Sequence, residues 1–599
     1  MSSDGVFLSK SRFSLNNLLR KKPVEKSISE ETQPRTLNWI DITMYGIAAT
    51  VGSGIYATVG EVALGRTAAQ GGGFIDSTGS AVLYCTAIAG TLSLLTSICY
   101  LEFASALPIS GSGYAYFYAL IGEFLGWFMG WNLTLEYAFA AAAIASKWAD
   151  TLQQLVRQSE VFGTWTGWET LFCWRPWAAF MASSTEIAES IDPKPESIFR
   201  LNFVSAAMIM GMGLVVGRGI SMSARVTNVA TMLNLTLIFF IITYGWRYVD
   251  TGKWSFDLSL AGVTGAMSMN ARIFSGAAEM FFCYIGYDTV STLSADAVNP
   301  GRDIPVAAIL TIATATVLYG LVGLVLTGMF SHEEMLASAA TMKAAPLAQA
   351  FLMSKDRFAY VAVSVGSLIN MAVTVFACLV GQPKVFAAIS RDGLLPRGLS
   401  RENRLGVPTG SLFMTIALTA GIAFVMDVYK GLVNMISAGC LFSMAAVCTG
   451  MLAARFNTTS AGLKSAGYYL STGFFAAALA TCLCTVNLGL DSWFTIISVV
   501  ISAVVFAVLV GLFWKYPYQL VSSAAATSST VQSFVCPLMP FLPCIAIFAN
   551  CYVFAAISLD QLALFLGWVV AGALIYFSYG MSHSVLGQEI EAVKNFGKI

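Results

Sequence analysis

Ala49-Thr50-Val51-Gly52-Ser53-Gly54-Ile55-Tyr56 lies in the middle of the first long apolar segment, residues 40–64. Two glycines two apart weaken a helix at that depth. An unwound turn there exposes backbone N–H groups. The half-helix that follows then points its positive N-terminus at the gap, a site for a carboxylate. Close helix packing through small residues accounts equally for the same pattern, and this motif alone does not choose between them. A second stretch reads Glu279-Met280-Phe281-Phe282-Cys283-Tyr284-Ile285-Gly286-Tyr287-Asp288-Thr289. It sets a glycine at mid-depth of the sixth apolar segment, with a carboxylate two residues on. Ionisable residues inside a membrane are functional candidates. Segments one and six stand five apart. Interrupted helices in matching positions of two five-helix halves mark an inverted-repeat transporter. An unwound sixth segment offers carbonyls to an ammonium group. An α-amino acid therefore fits, carboxylate on the first segment and amino group on the sixth.

The surroundings of both stretches are those of a membrane protein. Of 599 residues, 57% are apolar and 11% charged, where soluble domains carry about 25% charged residues. Long apolar segments run at about 40–64, 81–105, 122–150, 199–217, 224–246, 269–295, 304–330, 358–382, 409–427, 431–454, 468–489, 492–514, 533–557 and 560–580. These predict an all-α polytopic fold of about 14 transmembrane helices, each needing about 20 apolar residues. Alternating strand patterns are absent, which argues against a barrel. An even number of crossings puts both termini on one side. With that side cytosolic, the inner connectors hold eleven Lys and Arg and the outer ones twelve, and the tails add nine more inside. The positive-inside rule therefore favours cytosolic termini.

Five regions follow. Residues 1–39 read as a disordered cytosolic tail, and 40–455 as a ten-helix core with halves at about 40–246 and 269–455. Residues 468–580 supply four peripheral helices, and 581–599 a second cytosolic tail. The basic tail lacks the apolar core of a signal peptide. Its Leu18-Leu19 reads as two leucines or a sorting signal. The long outer connector 151–198 holds Trp165, Trp168, Trp174 and Trp177, which suit an interfacial loop or an extracellular lid.

Enzymatic and nucleic-acid functions find no support. Lys+Arg and Asp+Glu both count 33, so there is no basic surface for nucleic acid. Two His and twelve scattered Cys offer no zinc motif and no disulfide framework. His332-Glu333-Glu334-Met335 is not a two-histidine zinc motif, and neither a Walker loop nor a dinucleotide fingerprint occurs. No cofactor is expected. Among other acids, Glu102 and Glu123 lie near segment ends, within snorkelling reach of the interface. Glu136 is deeper and reads as a polar contact inside the bundle, reaching Lys147 only through the fold.

The order of motifs resembles that of the cationic amino acid transporter family, within the amino acid–polyamine–organocation superfamily. The likeness spans most of 36–584. It takes in Gly52-Ser53-Gly54-Ile55, Cys99-Tyr100-Leu101-Glu102-Phe103 with Pro108 and Gly111-Ser112-Gly113-Tyr114, and Gly130-Trp131-Asn132-Leu133-Thr134-Leu135-Glu136-Tyr137. Tyr284-Ile285-Gly286-Tyr287-Asp288, Asn299-Pro300, Arg391-Asp392-Gly393-Leu394-Leu395-Pro396 and the C-terminal set Pro537, Pro540, Pro543, Asn550, Trp568 and Tyr579-Gly580 continue it. The resemblance implies a five-plus-five inverted repeat with four additional helices. It places the substrate carboxylate at Gly52, Ser53 and Gly54, and the amino group at carbonyls of Thr50, Phe282, Cys283 and Ile285. Phe282 would be the aromatic gate, and Asp288 the sixth-helix acid. Bacterial relatives carry a proton-linked Lys on helix five where this chain has Asn234. That points to a facilitator, sodium-independent and driven by membrane potential, for arginine, lysine or ornithine. Asn434 replaces a frequent Asp, and the eighth-helix cluster is thinned to Met371-Ala372-Val373-Thr374, changes that bear on the side-chain pocket. A carrier of neutral or broad-range amino acids, a proton-coupled carrier and a non-transporting sensor are the alternatives. The plasma membrane is the first expectation for location, a vacuolar or lysosomal-type membrane the second.

Overall fold

The computed structural model describes residues 20–23, 35–64, 66–67, 74–75, 78–107, 112–158, 201–219, 224–254, 269–294, 296–331, 334, 345–403, 406–425, 429–455, 461–489, 492–515 and 534–596. The four loop tryptophans and Leu18-Leu19 lie outside these residues. The first apolar segment forms two helices, α1 (Trp39–Thr50) and α2 (Ser53–Leu64). Asn38 starts α1 through a capping box: its Oδ1 accepts from Ile40 N at 2.9 Å and Asp41 N at 3.1 Å, satisfying first-turn donors. A two-residue antiparallel pair follows, β1 (Arg66–Thr67) with β2 (Phe74–Ile75). Next come α3 (Val82–Ala106), α4 (Ser112–Leu120), α5 (Glu123–Thr134) and α6 (Ala140–Arg157), with a π-helical turn at Leu135–Phe139 joining α5 to α6. The first half closes with α7 (Phe203–Gly217) and α8 (Ala224–Gly245).

The sixth segment is again divided, into α9 (Met269–Tyr284) and the single turn α10 (Thr289–Thr292). Then follow α11 (Pro300–Met329), α12 (Pro346–Met353), α13 (Arg357–Arg391), α14 (Thr409–Val425) and α15 (Tyr429–Arg455). Beyond the core run α16 (Ala461–Leu488), α17 (Trp493–Lys515), α18 (Phe541–Ala555), α19 (Leu559–Ile575), α20 (Met581–His583) and α21 (Val585–Phe596). Helix is found within each of the fourteen apolar segments. Among the described residues, eight helices are long and apolar enough to cross a membrane, and Phe203–Gly217, Thr409–Val425 and Phe541–Ala555 are apolar but shorter. The third, fifth and sixth segments fall in neither group. The third carries Glu136 and Lys147, and the sixth is cut at 285–288 and carries Arg272 and Glu279.

Elements five segments apart pack on one another: α3 on α11, α6 on α13, and α7 on α14. The largest apolar core surrounds the breaks in the first and sixth segments, with Val51, Ile55, Phe281 and Tyr319 inside it. A second joins the C-terminal parts of α3 and α15 to α16 and α18 through Cys99, Cys448, Cys482 and Cys551. The eleven described cysteines are free thiols; Cys173 lies outside the described residues. Stacked indoles dock α19 on α5: Trp131 lies 4.2 Å from Trp568 between ring centroids, and 5.8 Å from Trp127. Trp131 donates its N–H to the Trp568 carbonyl and Trp127 to the Gly572 carbonyl, each at 3.0 Å, so these two buried donors are satisfied. An apolar recess of about 740 Å3 between α3, α16, α17 and α18 shares no residue with the two breaks.

Candidate functional site

Both breaks form where the sequence places glycine, and they meet. After Thr50 the chain turns so that Gly52 N donates to the Thr50 carbonyl at 2.8 Å, and α2 starts at Ser53. A Cβ on Gly52 would sit 2.7 Å from Thr374 Oγ1, so α13 closes against this turn. In the sixth segment Gly286 has φ +112°, and a Cβ there would lie 2.7 Å from the Ala49 carbonyl oxygen. Only glycine reaches that conformation readily and allows that approach. Gly54 has a different role. Its Cβ would meet Cys283 Cα at 2.8 Å, so this glycine lets α2 pack directly on α9.

Side chains from two other helices hold the breaks. Tyr319 on α11 donates its hydroxyl toward the carbonyls of Thr50 at 2.7 Å and Cys283 at 2.8 Å. These are two of the carbonyls expected to face a substrate ammonium. A hydroxyl has one proton, so each carbonyl keeps acceptor capacity, but Tyr319 fixes where both point. Edge packing on Tyr284, with ring centroids 5.3 Å apart, orients it. Asn234 on α8 donates its amide to the Val51 carbonyl and accepts from Tyr56 O–H at 2.7 Å. The Phe282 carbonyl accepts from Ile285 N at 3.2 Å. The two breaks are thus joined by pairwise contacts: Thr50 and Cys283 through Tyr319, Gly52 against Thr374, Gly54 against Cys283, and Asn234 on Val51. Ser53 opens α2, and Phe282 and Ile285 bound the second break. Met371 is buried three residues before Thr374 on α13. No local pattern distinguished Tyr319 in its apolar helix. Tyr319→Phe is expected to lower uptake about tenfold, the loss of roughly one buried hydrogen bond, with the protein still monodisperse. Unchanged uptake would remove Tyr319 from the site.

Asp288 and Glu136 stand apart from this backbone cluster. With Asn132 and Ser443 they line a cavity of about 10 Å3, room for a single water. Glu136 sits in the π-helical turn between α5 and α6.

The remaining acids are paired rather than snorkelling. Lys147 forms its buried ion pair with Glu61 of α2, not with Glu136. Glu102 pairs with Arg455 at 2.7 Å, both buried, instead of reaching the interface. Glu123 is buried too, accepting from Tyr576 at 3.0 Å, Tyr118 at 3.2 Å and Ser584 at 2.5 Å. Gln349 of α12 bonds Gln154 of α6 at 2.7 Å. Just past the end of α13, Lys22 reaches Asp392 at 3.2 Å, and Tyr114 donates to the same carboxylate at 2.6 Å.

The amino acid permease family profile matches residues 37–506, and a profile for that family's C-terminus matches 534–584. The chain belongs to the amino acid permease family. It is therefore a membrane protein of the transporter class and not an enzyme. Near-full-length relatives include the vacuolar cationic amino acid transporter 4 of Arabidopsis thaliana, 28% identical, with 96% of this chain and 97% of the relative aligned. The methylthioribose transporter of Bacillus subtilis (strain 168) is also 28% identical, over 96% of this chain and all of the relative. A branched-chain amino acid permease from the same bacterium is 25% identical, over 96% and 99%. Similar chains thus bear names for cationic, branched-chain and sulfur-sugar cargo.

Proposed function

We propose that this permease is a sodium-independent facilitator that moves amino acids by alternating access, cationic ones (arginine, lysine, ornithine) before others. The observation that carries the reading is the crossing of two interrupted helices at Gly286 and Ala49. That crossing puts the positive N-terminus of α2 beside the carbonyl-bearing end of α9. A zwitterionic amino acid complements both ends. Fourteen crossings in a five-plus-five arrangement with four further helices suit this reading. The packing of α3 on α11, α6 on α13 and α7 on α14 supports a twofold relation between the halves. Cytosolic termini follow from the basic residues of the tails, and the plasma membrane is the first assignment.

The acids Asp288 and Glu136 favour a cationic side chain. Thr374 touches the first break, and Cys378, one turn further along α13, lies within electrostatic range of Glu136. The four residues from Thr374 to Cys378 rise about 6 Å, a span the four-carbon stem of lysine covers. Asn234 where a proton-linked lysine is expected leaves the membrane potential as driving force, about 2.3 kcal/mol per charge per 100 mV. Buried Met371 near the same pocket supports a second reading, a carrier of neutral side chains.

Counterflow in proteoliposomes against a panel of arginine, lysine, ornithine, leucine and alanine separates these. Arginine exchange that responds to a potassium-diffusion potential is the expected result. Leucine or alanine exchange without arginine would establish the neutral reading, and binding without any counterflow a sensor. Phe282→Ala is expected to abolish exchange of every substrate, and wild-type exchange in it would remove the assigned gate.

A further inference from the structure

Glu61 and Lys147 are 7% and 3% exposed and form an ion pair between α2 and α6. The pair is not a by-product of helix packing. α2 packs on α9, α11, α12 and α13, and not closely on α6. A Cβ on Gly60 would stand 2.2 Å from Pro346 of α12, and one on Gly54 2.8 Å from Cys283 Cα of α9. Two long side chains therefore span a space that the helices leave between them. Gly54, Thr58 and Glu61 recur at helical spacing along one face of α2, and Thr58 is buried. Glu61 stands eight residues beyond Ser53, about 12 Å along the helix from the first break. The register of α9 fixes what lies opposite. A Cβ on Gly276 would meet Val62 at 3.1 Å, so α2 and α9 run antiparallel away from the Gly54–Cys283 contact. Glu279 falls between those two contacts, is buried, and accepts from the Asn434 amide of α15 at 3.4 Å. Beyond the breaks, α2, α6, α9 and α15 thus close over a buried polar layer.

Replacing a buried ion pair by apolar side chains is often neutral or stabilising, whereas removing one partner strands the other in low dielectric. Once water enters, neither charge needs its partner. The pair therefore acts most strongly on the balance between a closed layer and an open one. α2 is a half-helix joined to α1 by the unwound turn at Val51-Gly52, so it can pivot there as a hinge without breaking helical hydrogen bonds. We propose that Lys147 is a positioning residue for transport: bonded to Glu61 it holds α2 closed over the breaks, and it releases α2 when this end opens. The inference rests on the amino acid carrier reading above. In that reading the N-terminus of α2 receives the substrate carboxylate, so the swing of one helix couples access to binding. A balanced pair keeps both forms within reach. One charge alone forces the layer open to water, and a layer with neither stays shut.

The test uses full-length protein in vesicles with a water-soluble maleimide on both sides of the membrane. Labelling at each cysteine is read by peptide mass spectrometry. Thr58→Cys places a thiol one turn below Glu61, on the face of α2 turned to α9. Native Cys482, fully buried in the core shared by α16 and α18, is the control. Thr58→Cys alone is expected to label slowly. Adding Lys147→Met should speed labelling there more than tenfold, and Glu61→Gln carries the same expectation should Lys147→Met not fold. Adding both changes together should return the rate to that of Thr58→Cys alone or below. Cys482 should label equally slowly throughout. Equal Thr58→Cys rates in all four proteins would overturn the proposal, as would a double change that labels faster than either single one. Faster labelling of Cys482 alongside would mean that the pair merely holds the whole fold together, which also overturns it. Counterflow of the unmodified protein is measured in parallel. Its absence for every amino acid is failure of the carrier reading, while the labelling rates still decide whether Lys147 holds α2.

Discussion

Gly286→Val is expected to leave no measurable amino acid uptake, and Gly286→Ala to lower it on the order of 10²-fold, the scale of a 1 Å misplacement at a reacting centre. Any Cβ at this position would stand 2.7 Å from the Ala49 oxygen, 2.8 Å from its carbonyl carbon and 3.2 Å from Thr50 N. These are backbone atoms at the end of α1, so no side-chain rotation relieves the contact. A left-handed φ adds about 1–2 kcal/mol of strain for an L side chain, more for a β-branched one. The two breaks must therefore separate, which displaces the Thr50 carbonyl and the start of α2 together. Gly211 on α7 is the matched control: a Cβ there meets nothing within 4 Å. Gly211→Ala should transport normally and gain a few tenths of a kcal/mol from helix propensity. The measurement is counterflow per milligram of monodisperse protein for the three variants. Normal exchange by Gly286→Val would mean that the crossing of the breaks is not where substrate is held.

Both breaks were legible in the sequence because glycine acts locally. Gly52 and Gly286 weaken a helix whatever surrounds them, and a carboxylate such as Asp288 in an apolar run stands out by rarity alone. Gly54 shows the limit of that reasoning. Its spacing from Gly52 read equally as a backbone opened to substrate or as close helix packing, and the fold shows the packing: a Cβ there would stand 2.8 Å from Cys283 Cα of α9. Tyr319 was invisible because nothing in an apolar helix tells a tyrosine that bridges two breaks from one that fills a core. Partners of buried charges were hidden for a related reason. Lys147 finds Glu61 across 86 residues, and Glu102 finds Arg455 across 353. Periodicity along one helix carries no information about such distances. The helical segments themselves were plain, since each is an apolar run. Which of them crosses the membrane unaided was not, because functional segments exchange apolar length for a break or a charge.

Arg455→Met is expected to cost about 3–5 kcal/mol, the scale of a buried ion pair with one partner removed, and to yield little monodisperse protein. The Arg455 side chain is fully buried and that of Glu102 is 1% exposed, at 2.7 Å. Glu102 Oε2 also accepts the Cys536 backbone N–H at 2.7 Å. Ser105, on the same helix, accepts the Phe534 N–H at 3.1 Å, and Asn550 donates to Thr96 at 2.9 Å. The carboxylate therefore ties three pieces together: α3, the C-terminal end of α15, and the stretch that leads into α18. Removing the guanidinium leaves a buried negative charge held by one backbone donor, among the described residues. Removing the carboxylate with Glu102→Gln keeps an acceptor for Cys536 but withdraws the counter-charge from a buried guanidinium, and should cost a similar amount. The double variant Glu102→Gln/Arg455→Met contains neither charge and keeps the acceptor. It should be more stable than either single variant, which makes the coupling larger than the cost of one single variant, above about 3 kcal/mol. Thermal unfolding in detergent, read as the shift in Tm for all three, measures this. Additive losses would show that the pair is not coupled, and that Arg455 anchors α15 through its packing alone.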